Sequence, residues 1–347
     1  MRRKMMRAAA WLLLCGMLIC TLGACANAKN KKVIATSGEY EIPYEQLRFV
    51  TMTYKMDLDD KYGDGNDENG TIWDDPTTAE KYRAELEELV WNTIKENYAL
   101  LHACAQEGVG REVFEGKEIE KAVDANMTEL LAEYTSKREY KAALKERYAT
   151  DRLFRFYFAL DEMKYMLHTA MQNRGAFFTD EAEFETWLTD GNSAYVQHFL
   201  LTHENDTEKE ENRAILEDAR QKLISGEWTL TDCINKANDD LTNVSPYYLV
   251  RNVHKDALVD TAVSLKNAGD VSEIVEDDGV LYVFVRVEET ETQDEMGNMY
   301  STLSLQLTKL LSDYQWAIVG DVVEAAKASL NIEINDYGKS IDLVAMQ

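Results

Sequence analysis

The strongest constraint on this chain is a change of periodicity. From Thr77 onward apolar residues recur at helical spacing for some ninety residues, and at Ala194 the pattern turns to short runs of strand composition separated by helices. In "TTAEKYRAELEELVWNTIKENYALLHACAQEG" a Thr cap and an acidic first turn lead into Tyr82, Leu86, Leu89, Ile94, Tyr98 and Leu101 on one side, and Gly108 closes the helix. "FEGKEIEKAVDANMTELLAEY" and "SKREYKAALKERYATDRLFRFYFALDEMKYMLHTAM" continue as amphipathic helices with narrow apolar stripes, the pattern of a loose helical layer rather than a tight bundle. "TDEAEFETWLTD" reads as a further short helix, capped by Thr179 or Asp180. Helical layer and strands together predict an α+β fold.

Strand signals flank the helices and fill the second half. Val33 to Thr36 reads as a strand, Ser37-Gly38 as a turn and Pro43 as a helix start. After Ala194, "YVQHFLL" has strand composition and "TEKEENRAILEDARQKLISGE" is an amphipathic helix ending at Gly226. An irregular segment, a short helix and a turn then lead to Val280 to Val287, apolar enough to be a central strand. A helix from about Leu303 to Ser329 precedes "NIEIND", which alternates like a short strand.

At the N-terminus Arg2, Arg3, Lys4 and Arg7 precede an apolar stretch, Ala8 to Leu22, that is too short to span a bilayer comfortably. Leu22-Gly23-Ala24-Cys25 resembles the lipobox of bacterial lipoproteins. The resemblance implies that Cys25 becomes the first mature residue and carries lipid; an ordinary signal peptide or an uncleaved anchor is the other reading. The net charge of −26 becomes −30 once the four basic residues of 1–24 are removed. Nucleic acid is therefore excluded as a partner, and the lipid rather than a basic patch must hold the chain at an anionic bilayer.

No metal and no cofactor is expected, because no Cys or His pair has ligand spacing. The stretch 57–75 is dense in Asp, Asn and Gly. Aligned as a calcium loop on Gly70, it would place Gly65 and Pro76 where an acidic ligand and a Glu are needed, so it reads as a solvated loop. Cys104 and Cys233 read as buried thiols, with a bridge between them left open.

Residues 194–289 resemble the parvulin family of peptidyl-prolyl isomerases in three places. "VQHFLL" is similar to the first strand with its site histidine, "ARQKLISGEW" to the first helix and its exit, and "SLKNAGDVSEIV" to a turn that is the most specific of the three. With the helical flanks and the lipobox, the chain is similar to extracytoplasmic foldases of the PrsA and SurA type. The implied domains are a signal peptide at 1–24, a lipidated Cys and tether at 25–32, a helical chaperone-like segment at 33–190, a parvulin-like domain at 191–290, and a helix and strand at 291–347 that complete the chaperone-like domain. The Val33 strand and the "NIEIND" strand would then lie side by side.

Turning an X-Pro bond needs no nucleophile. Its barrier of about 18 to 20 kcal/mol falls when the imide loses resonance in a dry, hydrogen-bonding pocket. Carried onto this chain, the first histidine is His198, the acidic partner Asp239 or Asp240, and the apolar cup falls near His254 and Leu258, with Val263 in place of a further aromatic. The second histidine is missing: Leu281, Tyr282 or Val283 occupies its slot, and Tyr282 could substitute as a hydrogen-bond donor. "NVSPYYLVR" stands where the family has a Gly-rich element. His198 is read either as a surviving site residue or as a satisfied core histidine.

The resemblance therefore implies a membrane-anchored foldase that binds unfolded, newly exported polypeptides and whose isomerase activity is weak or absent. A holdase without catalysis is the alternative. A solute- or cell-wall-binding lipoprotein is disfavoured, because repeated βα units forming two lobes are not seen. A homodimer is left open.

Overall fold

The computed structural model describes residues 29–63, 70–240, 242, 245–293 and 299–346. The signal segment, Cys25 and the middle of the 57–75 stretch lie outside the described residues. Two compact units emerge: one made of the described residues up to Met171 together with those from Asp321, the other of Gln172–Gly320.

The first unit opens with the hairpin β1 (Val33–Ser37) and β2 (Tyr40–Pro43), and Gly38 supplies the positive φ of 57° its turn requires. Helices α1 (Tyr44–Tyr62), α2 (Pro76–Gln106), α3 (Arg111–Phe114), α4 (Lys117–Ala132), α5 (Lys137–Glu146) and α6 (Asp151–Asn173) follow. Leu86, Val90, Ile94, Tyr98 and Leu101 recur every three or four residues along α2 and are all buried, with α1 packed against it. The cap of α2 is Asp75 rather than a threonine. Its carboxylate accepts from the Thr78 amide at 2.9 Å, and Pro76 fills the first position, where a missing N–H costs nothing.

The second unit carries α7 (Glu181–Trp187), β3 (Ser193–Thr202), α8 (Asp206–Ser225), α9 (Leu230–Lys236), β4 (Tyr247–Val250), α10 (Asp256–Ser264), β5 (Val275–Asp277), β6 (Val280–Arg286), β7 (Glu291–Gln293) and β8 (Met299–Ser301). Asp180 caps α7. The unit is wider than 191–290 because Phe178, Phe184 and Trp187 pack around Tyr314 of α11 (Thr302–Ser329), with centroids 5.2 to 5.7 Å from that ring. Helix α11 runs on into the residues of the first unit, followed by β9 (Glu333–Ile334) and α12 (Asp336–Lys339).

The observed class is α+β, with small antiparallel sheets. In the second unit the order is β4-β3-β6-β5. Strand parity gives it two buried faces. Phe199, Leu201, Leu281, Val283 and Val285 meet α8 and α9, while Ala194, Val196, Leu249 and Phe284 meet α10. Burial on both sides is why β6 reads as an unbroken apolar run. Cys104 and Cys233 are both buried free thiols, and no described helix is long and apolar enough to cross a membrane.

The first unit's sheet has the order β2-β1-β9, and β9 pairs antiparallel with β1 through Ala35↔Ile334 and Thr36↔Glu333. The two strands lie side by side, as the resemblance implied. Gly338 in α12 makes this approach possible, since a Cβ there would sit 2.3 Å from the Ile34 carbonyl oxygen. Gly338→Ala should therefore lower stability by about 1–3 kcal/mol through backbone displacement. Gly320→Ala, which points into open space within α11, should be neutral or stabilising by up to about 1 kcal/mol. Denaturant midpoints of the two variants check the contrast.

Candidate functional site

His198 sits in the middle of β3 opposite Phe284, and even parity turns it toward α10. The residue is 5 % exposed. Its Nδ1 lies 3.1 Å from the Tyr247 hydroxyl, and three rings stand edge-on to it: Tyr247 at 5.4 Å, Tyr282 at 6.1 Å and Phe284 at 6.5 Å. Tyr282 and Phe284 stack on each other at 5.7 Å. Tyr247, Tyr282, Val263 and Val275 are only partly buried, so an aromatic and apolar rim surrounds the imidazole.

The "SLKNAGDVSEIV" turn holds one wall of this face. Gly269 adopts a φ of 90°, the Asp270 carboxylate accepts from the amides of Lys266 and Asn267 at 2.9 and 2.8 Å, and the turn closes. Ser272 then bonds both backbone groups of Phe284: its amide donates to the Phe284 carbonyl, and its hydroxyl accepts from the Phe284 amide, each at 2.8 Å. Buried Arg220 of α8 donates to the Ser272 carbonyl at 2.6 Å. The motif is thus a clamp on β6.

The structure separates the residues that the sequence grouped. Asp239 ends β3, where its carboxylate accepts from the Thr202 amide at 2.8 Å and from the Thr202 hydroxyl at 3.0 Å. Asp240 accepts from the Thr242 amide and hydroxyl, and its charge reaches His198, Tyr247 and Tyr282. Of the three residues at the missing-histidine slot, Leu281 and Val283 belong to the opposite core, and Tyr282 alone shares the face of His198. Leu258 of α10 is buried in the core of this face, and Val263 of the same helix packs against it partly buried. His254 folds back on β4, its Nδ1 3.1 Å from the Val250 amide, and its ring is 6.4 Å from Tyr247.

Tyr247 is the residue that sequence reasoning missed. Pairing Tyr247 with Val196 puts it on the face of His198, and that register is not written in the uniformly apolar "YYLV".

Burial holds the His198 pKa below its ordinary 6.5, against the upward pull of Asp240. Burial likewise lowers that of His254, against its backbone bond to Val250. Both rings are therefore neutral at pH 7. Nδ1 is held by the Tyr247 hydroxyl, and Nε2 is buried and makes no hydrogen bond to the described residues. A neutral imidazole among aromatic rings offers no charged acid. Among the described residues no group of three His, Cys, Asp or Glu side chains is placed to hold a metal ion.

No protein-family model matches the chain, and no curated protein matches it. Solved structures similar to it include the PrsA peptidylprolyl isomerase of Bacillus anthracis, at 15% identity over 70% of this chain and 100% of that one, with a TM-score of 0.38. The foldase protein PrsA of Streptococcus pneumoniae matches at 15% identity over 74% of this chain and 93% of that one, TM-score 0.31. A structure from Campylobacter jejuni, where PEB4 and Cj1289 are described as SurA-like chaperones, matches at 13% identity over 88% and 99%, TM-score 0.27. These neighbours are foldases and chaperones of the PrsA and SurA type. The likeness is distant, and this chain's own residues define its site.

Because both histidines are neutral in the fold and free to protonate when unfolded, the unfolded chain takes up more protons below the ordinary pKa of 6.5. The stability they permit is complete above that pH and is lost as pH falls toward their lowered folded values. His198→Asn should make this loss shallower in urea titrations between about pH 5 and 8. An unchanged slope would mean that the imidazole is solvated. Tyr247→Phe, which strips Nδ1 of its partner, should cost about 1–2 kcal/mol in the same assay.

Proposed function

We propose that this chain is a lipid-anchored, extracytoplasmic foldase that binds unfolded polypeptide, with its sheet unit serving as a peptide cradle whose prolyl isomerase activity is weak or absent. The observation that carries the reading is the pair of half-buried rings, Tyr247 and Tyr282, beside the neutral His198. Flat, half-buried rings give an extended chain apolar surface without sequence demands. The insertion of 172–320 between segments that build the other unit supports the same reading, as do the lipobox and the motif matches. Cys25 would carry the lipid.

A holdase without catalysis is favoured by one observation. Of Leu281, Tyr282 and Val283, only Tyr282 shares the face of His198, and its hydroxyl is pushed toward higher pKa by burial and by Asp277, so it remains an uncharged phenol. One buried imidazole and one phenol give little electrostatic preference for the twisted amide. Asp239 and Asp240 would then tie off β3 and tune the face rather than take part in isomerisation.

A protease-coupled assay on a proline peptide should give a rate at or barely above background. A clear rate that disappears in His198→Ala would overturn the cradle-only reading. The full chain should slow aggregation of a chemically unfolded client at stoichiometric amounts, and failure to do so would remove the foldase reading altogether.

A further inference from the structure

The first unit holds a pocket of its own, of about 240 Å³, below the ~300 Å³ at which drug-sized sites begin. It is the size for a single side chain. Its walls are four rings in a closed cycle: Tyr40 at the start of β2, Phe114 at the end of α3, Phe156 in α6 and Tyr98 in α2. Centroids are 6.1 Å apart for Tyr40–Phe114, 6.2 Å for Phe114–Phe156, 5.9 Å for Phe156–Tyr98 and 6.2 Å for Tyr98–Tyr40. Phe114 stands edge-on to both of its neighbours, at 86° and 81°; Tyr98 is buried, while Tyr40, Phe114 and Phe156 are partly exposed.

The charged groups of the lining are unequal. Arg111 is occupied by Glu115 at 2.8 Å and by the Glu39 carbonyl at 2.8 Å, and Arg152 by buried Glu45. Tyr98 donates to Gln46 at 2.9 Å. Two polar groups are left over. Glu41, an exposed residue of the lining, forms no ion pair among the described residues, and the Tyr40 hydroxyl is buried with no partner there. Burial first, then Glu39, pushes that hydroxyl up to about 12, so it stays neutral and keeps its lone pairs for a donor. Ring faces, one uncompensated carboxylate and one waiting acceptor are complementary to a group that is positive, carries N–H donors and has an apolar stem.

We propose that this pocket takes the cationic side chain, lysine or arginine, of a bound polypeptide. The polypeptide part of the proposal rests on the foldase reading; the cation preference rests on the pocket alone. It gives a strongly acidic chain a local means of choosing basic stretches in its clients.

Saturation-transfer NMR on the full chain with N-acetyl-lysine methylamide and its norleucine counterpart separates charge from stem. The lysine probe should bind at least about fivefold better, and Phe114→Leu, which removes one wall and keeps apolar volume, should weaken it by about fivefold. Equal binding of the two probes, or an unchanged lysine signal in a folded Phe114→Leu, overturns the proposal. If that variant loses its fold, the comparison of probes in the unaltered chain decides by itself. Aggregation suppression measured on the same sample reports the foldase reading separately: its failure with lysine selectivity intact would sink that reading and still support the cation pocket.

Discussion

The antiparallel pairing of Ala35 with Ile334 is the contact on which the rest of the first unit depends. It brings together segments some three hundred residues apart, and several side chains guard it. Asn335 donates its amide to the Ile34 carbonyl at 3.0 Å and its side-chain nitrogen to the Val33 carbonyl at 2.9 Å. Further on, buried Lys55 of α1 donates to the carbonyls of Val344 and Met346 at 2.8 and 2.9 Å. Closing so long a loop is less costly than its length suggests, since each doubling adds only about 0.6 kcal/mol. A whole sheet-bearing unit can therefore be spliced into a helical one without undoing it.

Within the sheet unit the corresponding constraint is burial of β3 on both faces. A ten-residue strand covered by α8 and α9 on one side and by α10 on the other has little room for polar side chains. His198 is tolerated because Tyr247 satisfies one nitrogen and because the ring stays uncharged. The same desolvation that fits the imidazole into the core removes its use as a charged catalyst.

Much of this was legible in the sequence, and the remainder failed for identifiable reasons. Long periodic helices announced themselves, and α11 begins within one residue of the expected Leu303. Strand β6 could be read because its burial on both faces writes an unbroken apolar run. Strand β5, with Glu276 and Asp277 among its three residues, has no strand composition and exists only because β6 offers it an edge. His198 stood out as an imidazole in an apolar strand. Its partner Tyr247 is 49 residues away, and their contact depends on the register of β3 with β4, which no local pattern encodes. Asp239 and Asp240 were equivalent as text; only the fold separates a strand-end tie from a charge near the imidazole.

The central claim is that unfolded polypeptide rests on the face around His198. Hydrogen exchange of the full chain, with and without a permanently unfolded client, tests it most directly. Slowed exchange in β4, in α10 and along β6 from Val280 to Phe284, with β1 and β9 protected equally in both states, is the result this account predicts. Unchanged exchange in those three segments while the client is demonstrably bound would contradict it.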